Sequence, residues 1–193
     1  MFNLADYMMT MVVPTITPGP NNIMSMSNAS KLGIRKSLPF NFGVFVGSFI
    51  VSVLIAIFSK FLYGYIPSIA KAMKVFGFVY MLYLAYKTYF RSSSLDNSDT
   101  NSKFLSGVLL QFVNPKSILF GFTLITTKVT PFVSDPIFIV FLMVLRAGMS
   151  LFATLCWTVF GSLFRVLFTT HAKIVNGIMA ILLIYCGFMM LLA

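Results

Sequence analysis

Six apolar stretches, at about 6–28, 38–60, 68–90, 104–127, 136–162 and 172–192, take up most of the chain. Each exceeds the roughly 20 residues that a helix needs to cross a bilayer. Lipid offers no partner for backbone N–H and C=O groups, so such stretches close their own hydrogen bonds as helices. With 59% hydrophobic and 9% charged residues and a mean hydropathy of +0.93, the composition excludes a soluble domain of this size. The expectation is an all-α integral membrane protein with six transmembrane helices. Met1 to Asp6 carries no basic residue, and no small-residue cleavage site follows it, so this end reads as the start of the first span and not as a removed signal peptide.

Two of the six stretches are broken inside. Thr17-Pro18-Gly19-Pro20-Asn21-Asn22 interrupts the first, and Asn114-Pro115-Lys116 interrupts the fourth. Proline removes an N–H and clashes with the preceding turn. Non-helical backbone at membrane depth survives only where it is buried in protein or lines a cavity. Paired breaks in corresponding positions point to a transporter's binding site; simple kinks held by neighbouring helices are the alternative. Pro20-Asn21 aligns with Pro115-Lys116 at an offset of 95 residues, which also lays span two on span five. Three spans on each side of a polar run then imply a 3+3 inverted repeat, with helices one and four broken near the midplane. The expected organisation is a first three-helix repeat over 1–90, a cytoplasmic linker over 91–103 and a second repeat over 104–193. The linker, Arg91 to Lys103, is too rich in Ser, Asn and Asp to pack.

Fourteen Lys and Arg face four Asp and no Glu. The cations are scattered at span ends, where they snorkel to headgroups, and do not form a nucleic-acid patch. Eight of them (Lys31, Arg35, Lys36, Lys87, Arg91, Lys103, Arg165, Lys173) fall on one side and four (Lys60, Lys71, Lys74, Lys128) on the other. The richer side is expected to be cytoplasmic, with both termini outside. Tyr63 and Tyr65, and Tyr86, Tyr89 and Phe90, read as interfacial belts. Gly43 and Gly47 form a small-xxx-small pair for close helix contact.

Lys116 and Arg146 remain. At 1.5 Å per residue Lys116 lies about 18 Å from the cytoplasmic end of span four and Arg146 about 15 Å from the outer end of span five, close to the midplane of a core about 30 Å thick. A cation there costs about 2.5–3.5 kcal/mol or more. No Asp or Glu lies well inside any span to offset it. Carbonyls freed by the breaks, or an anionic ligand, can take that part; a carboxylate suits two cations and a half-helix N-terminus together. Snorkelling is the alternative for each cation taken singly. Around Lys116, Gln111, Asn114 and Ser117 recur every three residues and share a broad face, and Thr15, Thr17, Asn21, Asn22, Ser25 and Asn28 give span one a polar lining. Such residues bind a substrate or bridge helices. The candidate substrate-binding set is Pro18, Gly19, Pro20, Asn21, Asn22, Gln111, Asn114, Pro115, Lys116 and Arg146.

Enzyme motifs are absent. His171, the single histidine, falls in the loop before span six, no His/Cys/Asp/Glu cluster suits a metal, and no phosphate loop is present. No cofactor is expected. Cys156 and Cys186 fall at different depths and read as two buried, unpaired thiols.

At Thr17 to Asn22, followed by Gly33-Ile34-Arg35-Lys36, the chain resembles the LysE/RhtB family of amino-acid exporters over its whole length. Gln111 to Lys116, Cys156-Trp157 and Tyr185-Cys186 look most like the cysteine/O-acetylserine exporter branch. The resemblance implies a multi-pass protein of the bacterial inner membrane, driven by an ion gradient, that exports small amino acids. Some branches carry Asp where this chain has Asn21, which removes an obvious proton carrier. A zwitterionic substrate would bring the carboxylate that the two midplane cations lack. An anion channel, an exporter of another small metabolite and a polytopic membrane enzyme or assembly subunit are the alternatives. The expected partners are the amino acid and membrane lipids, with no nucleic acid; a homo-oligomer is left open.

Overall fold

The computed structural model describes residues 2–90, 100–163 and 171–192. Among them every regular element is helical. The order is α1 (Leu4–Ile16), α2 (Pro20–Leu32), α3 (Ile34–Phe90), α4 (Thr100–Val113), α5 (Pro115–Leu124), a π-helical turn (Ile125–Val129), α6 (Pro136–Leu163) and α7 (Ala172–Leu192). Two helices, Ile34–Phe58 and Pro136–Leu163, are long and apolar enough to cross a membrane by themselves. The pair α4–α5 makes a third such span if its bend of 65° is counted as one path.

Both breaks fall where the prolines are. Pro20 opens α2 and Pro115 opens α5, each in the first turn, where the missing N–H costs nothing. The tail of the 91–103 linker, residues 100–103, belongs to α4; residues 91–99 lie outside the described residues. A loop expected between spans two and three is not there. Helix is assigned without interruption from Ile34 to Phe90. A straight helix would hold Gly47 and Met81 about 50 Å apart. Yet Met81 packs on Gly187, whose neighbour Cys186 contacts Pro18, and the α2 start is joined through Asn21 and Gln111 to Gly47. So short a path means that α3 is not straight between Gly47 and Met81.

Contacts at the helix ends fix which ends lie together. Lys128 pairs with Asp6 at 2.6 Å, and the Tyr7 hydroxyl donates to the Leu142 carbonyl at 2.8 Å. The start of α1, the end of α5 and the start of α6 therefore share one end of the bundle. At the other end Ser25 donates to Asn41, and Asn41 to Thr158, at 2.9 and 2.8 Å. Close crossings lie there too. A Cβ on Gly43 would sit 2.0 Å from the Phe104 carbonyl oxygen, one on Gly107 2.3 Å from that of Phe40, and one on Gly161 2.3 Å from that of Met26. Glycine lets these backbones meet.

The apolar core forms two layers. Ile23, Phe40, Val44, Met81, Leu110 and Leu183 belong to one; Tyr7, Met11, Val51, Ile55, Leu124 and Leu142 belong to the other. Along α1–α2 the break lies between Met11 and Ile23. Along α4–α5 it lies between Leu110 and Leu124. Along α3, Ser48 lies between Val44 and Val51. A polar layer is thus sandwiched between two apolar ones, and it holds the site.

Candidate functional site

The first break frees the carbonyls that close α1. Each of the five from Pro14 to Pro18 has a side-chain donor. Thr17 Oγ1 donates to the Pro14 oxygen at 3.0 Å. Asn22 Nδ2 reaches those of Thr15, Ile16 and Thr17 at 2.8, 3.3 and 2.9 Å. Trp157 Nε1 donates to Ile16 at 3.0 Å, and the Cys186 thiol contacts the Pro18 oxygen at 3.6 Å. Lys116 Nζ donates to the Thr17 and Pro18 oxygens at 3.2 and 3.3 Å and to Thr17 Oγ1 at 2.9 Å. A cation at a helix C-terminus also meets the negative end of its dipole. Of the two counter-charges open to Lys116, this structure uses the carbonyls. Gly19 makes room for it: a Cβ there would stand 3.2 Å from Lys116 Nζ and 3.3 Å from its Cδ. Its φ of −173° is ordinary extended backbone, so the requirement is one of space.

The second break is tied to the first by amides. Asn21 and Gln111 donate to each other, at 3.1 and 2.9 Å, and Asn114 Nδ2 donates to Asn21 Oδ1 at 3.1 Å. Asn114 Oδ1 caps α5 by accepting from the Ser117 N–H at 3.4 Å, and Ser117 Oγ donates to Gln111 Oε1 at 3.1 Å. Asn22, Gln111 and Asn114 are buried. Unpaired, each would cost the desolvation of its amide, so the mutual pairing holds the two breaks in register.

Arg146 is 3% exposed. Nη1 donates to Ser48 O and Ser48 Oγ at 3.3 and 3.4 Å and to Ser52 Oγ; Nη2 donates to Ser117 O at 2.7 Å. Among the described residues none of these partners is a carboxylate. The Phe120 ring lies 6.0 Å from the guanidinium carbon, within cation–π range. Among the described residues Nε has no partner. Guanidinium stays protonated in proteins, so a full charge and one spare donor are held here.

A cavity of about 40 Å³ lies among these groups, lined by Gly19, Asn21, Asn114, Lys116, Arg146 and Ser150, with Pro14, Thr15, Pro20, Asn22, Ser117 and Phe120 completing the wall. The first turn of α2 faces it without a side-chain cap, because Gly19 occupies the cap position. An uncapped helix start beside two cations suits an anion. Among the described residues no three His, Cys, Asp or Glu come together to hold a metal.

Of the expected set, Gly19, Pro20, Asn21, Asn22, Asn114, Lys116 and Arg146 line the cavity. Gln111 and Pro115 stand behind them, and Pro18 lends its carbonyl to Lys116. Ser25 instead bridges helices. Sequence reading missed Ser48 and Ser52, although their i, i+4 spacing puts both on one helix face. It also missed Ser150, Phe120 and the donors Trp157 and Cys186. The two thiols are unpaired as expected, but they are not both buried: Cys156 is exposed on α6 and Cys186 half-buried at the break. Cys156 lies on the outward face of an apolar helix, where the solvent is lipid, so an exposed thiol is no worse placed than a buried one.

Interrupted helices around a polar layer, inside an otherwise apolar bundle, define a polytopic membrane protein built around an internal site. Residues 12–193 match the family model of the LysE type translocator. The chain is 34% identical over 177 residues to a cysteine/O-acetylserine efflux protein of Escherichia coli O1:K1, covering 91% of both chains. It is 31% identical over 180 residues to one of Klebsiella pneumoniae subsp. pneumoniae, covering 91% of this chain and 90% of that one. No solved structure matches it. The chain belongs to the LysE translocator family, which moves solutes and is not a family of enzymes.

Proposed function

We propose that this chain is a secondary transporter that exports small amino acids of the cysteine/O-acetylserine type across the bacterial inner membrane. The relatives' names supply the substrate class. The cavity supplies the chemistry. Arg146 is buried without a carboxylate partner, and its spare Nε belongs to a residue that lines the cavity beside the uncapped start of α2. That observation carries the reading: a substrate carboxylate would take the spare donor and the free α2 amides, with Lys116 adding positive potential from across the break.

The six-span, 3+3 arrangement of 1–90 and 104–193 is part of the proposal. Its support is the matching N1 prolines, 95 residues apart, and the end-to-end pairing of α1 with α5 through Asp6 and Lys128. A span-one start beside a span-four end means that the two run antiparallel, as inverted repeats require. External termini, a cytoplasmic linker, lipid contact around the apolar flanks and assembly as a homo-oligomer complete it. The chain has no phosphate loop, so the ion gradient supplies the drive.

The test is efflux by Arg146→Gln, which keeps polarity and removes the charge. Efflux should fall by at least tenfold, about 1.4 kcal/mol, with membrane insertion intact. Efflux at the wild-type rate would remove Arg146 from the site. Counterflow of labelled substrate separates a carrier from a channel, since a channel cannot accumulate label against unlabelled substrate.

A further inference from the structure

The oxygens around Arg146 are those a metal cation would choose. Ser48 O, Ser48 Oγ, Ser52 Oγ and Ser117 O come from α3 and α5, while the cation they surround comes from α6. All four are hard, uncharged oxygen donors, the kind that hold alkali and alkaline-earth ions. Two are backbone carbonyls, one of them in the first turn after the second break. The fit around the guanidinium is close: a Cβ on Gly121 would stand 2.6 Å from Nη2.

We infer that this is a monovalent-cation site permanently filled by a cation of the chain itself. The guanidinium of Arg146 joins α3, α5 and α6 as a bound sodium ion would, so the transport cycle requires no sodium. The inference rests on the transport reading for its consequence, but not for the site. Its physical basis is the cost of the alternative: without Arg146, the oxygens of buried Ser48 and Ser52 and of half-buried Ser117 lose their cation and keep only partners such as Ser52 Oγ on Ser48 O, at 2.6 Å, and Ser150 Oγ beside Ser48 Oγ, at 3.3 Å. Oxygens so placed recruit a free cation. Guanidinium restores both the charge and the hydrogen bonds, and sodium restores the charge alone.

The experiment uses the purified full-length chain in detergent, wild type and Arg146→Ala. Each is melted in choline chloride, sodium chloride and guanidinium chloride at equal, low millimolar concentration, far below denaturing levels. Arg146→Ala should melt below wild type in choline. Guanidinium should recover at least half of the deficit and sodium a smaller share. Wild type should not shift, and adding Ser52→Ala to Arg146→Ala should abolish the recovery. No cation-specific shift, or an equal shift in wild type, would overturn the proposal. A second arm does not depend on the variant folding. Wild-type efflux in proteoliposomes should proceed equally in sodium and choline buffers, and a sodium requirement would overturn the filled site. Melting needs no transport, so failure of the exporter reading alone would leave the cation-specific shifts standing.

Discussion

Lys116 Nζ lies 2.9 Å from Thr17 Oγ1 and within 3.3 Å of the Thr17 and Pro18 carbonyl oxygens, so the cation beside one break closes the helix that ends at the other. The two interruptions are thereby one structure. Asn21, Gln111 and Asn114 bind them side by side, and Arg146 ties the pair to α3. Moving either half-helix changes the hydrogen bonds of both breaks. That coupling is what a carrier needs if one substrate site is to open alternately to two sides.

Lys116→Gln keeps a donor but loses the charge and some of the reach. Hydrogen bonds from charged groups are worth about 1.5–3 kcal/mol each in context. Efflux should drop at least tenfold while the protein still reaches the membrane. Loss of the protein from the membrane would make Lys116 a folding residue instead.

Gly19→Ala places a methyl 3.2 Å from Lys116 Nζ without straining the backbone. The lysine would have to shift by a few tenths of an ångström, which lengthens its bonds to the carbonyls. Efflux should fall severalfold in wild type, and by much less in a Lys116→Ala background, where nothing is left to displace. Equal falls in both backgrounds would show that Gly19 acts independently of Lys116.

Much of this could be read from the residues. The ends of α6 and α7 match the apolar runs at 136–162 and 172–192, where Pro136 starts one and a turn at His171 precedes the other. The breaks were legible for the same reason: proline and glycine act locally. What was not legible depends on tertiary contact. Nothing in Ser48 or Ser52 announces that a guanidinium from α6 will reach them. Trp157 and Cys186 become donors to the break only once α6 and α7 pack beside it. The gap between the runs at 38–60 and 68–90 carries Gly64 and Pro67, yet α3 continues there as helix, a choice that local propensity does not fix.

Gly107→Ala should disrupt the α3–α4 crossing, since its Cβ would stand 2.3 Å from the Phe40 oxygen and 2.8 Å from the Val44 nitrogen. Both neighbours are backbone and cannot move aside cheaply. Overpacking of this kind costs about 1–3 kcal/mol. The melting temperature should fall by several degrees. Gly148→Ala is the control, because its Cβ would meet nothing within 4 Å. Similar melting of the two variants would contradict the close crossing.

With eight basic residues against four, the proposed orientation has the 91–103 linker inside. A protease added to right-side-out vesicles should remove a tag following Ala193 and spare one inserted in the linker. The reverse pattern would invert the orientation and leave the pairing of Asp6 with Lys128 untouched.

The central claim is that the cavity between the breaks holds a carboxylate. The most direct measurement is counterflow in proteoliposomes with labelled cysteine, challenged by unlabelled cysteine, its methyl ester and cysteamine. These keep the thiol and amine but differ at the carboxylate. Cysteine should compete fully, and the ester and cysteamine should compete at least tenfold more weakly. Competition by cysteamine as strong as that of cysteine would contradict a carboxylate site at Arg146.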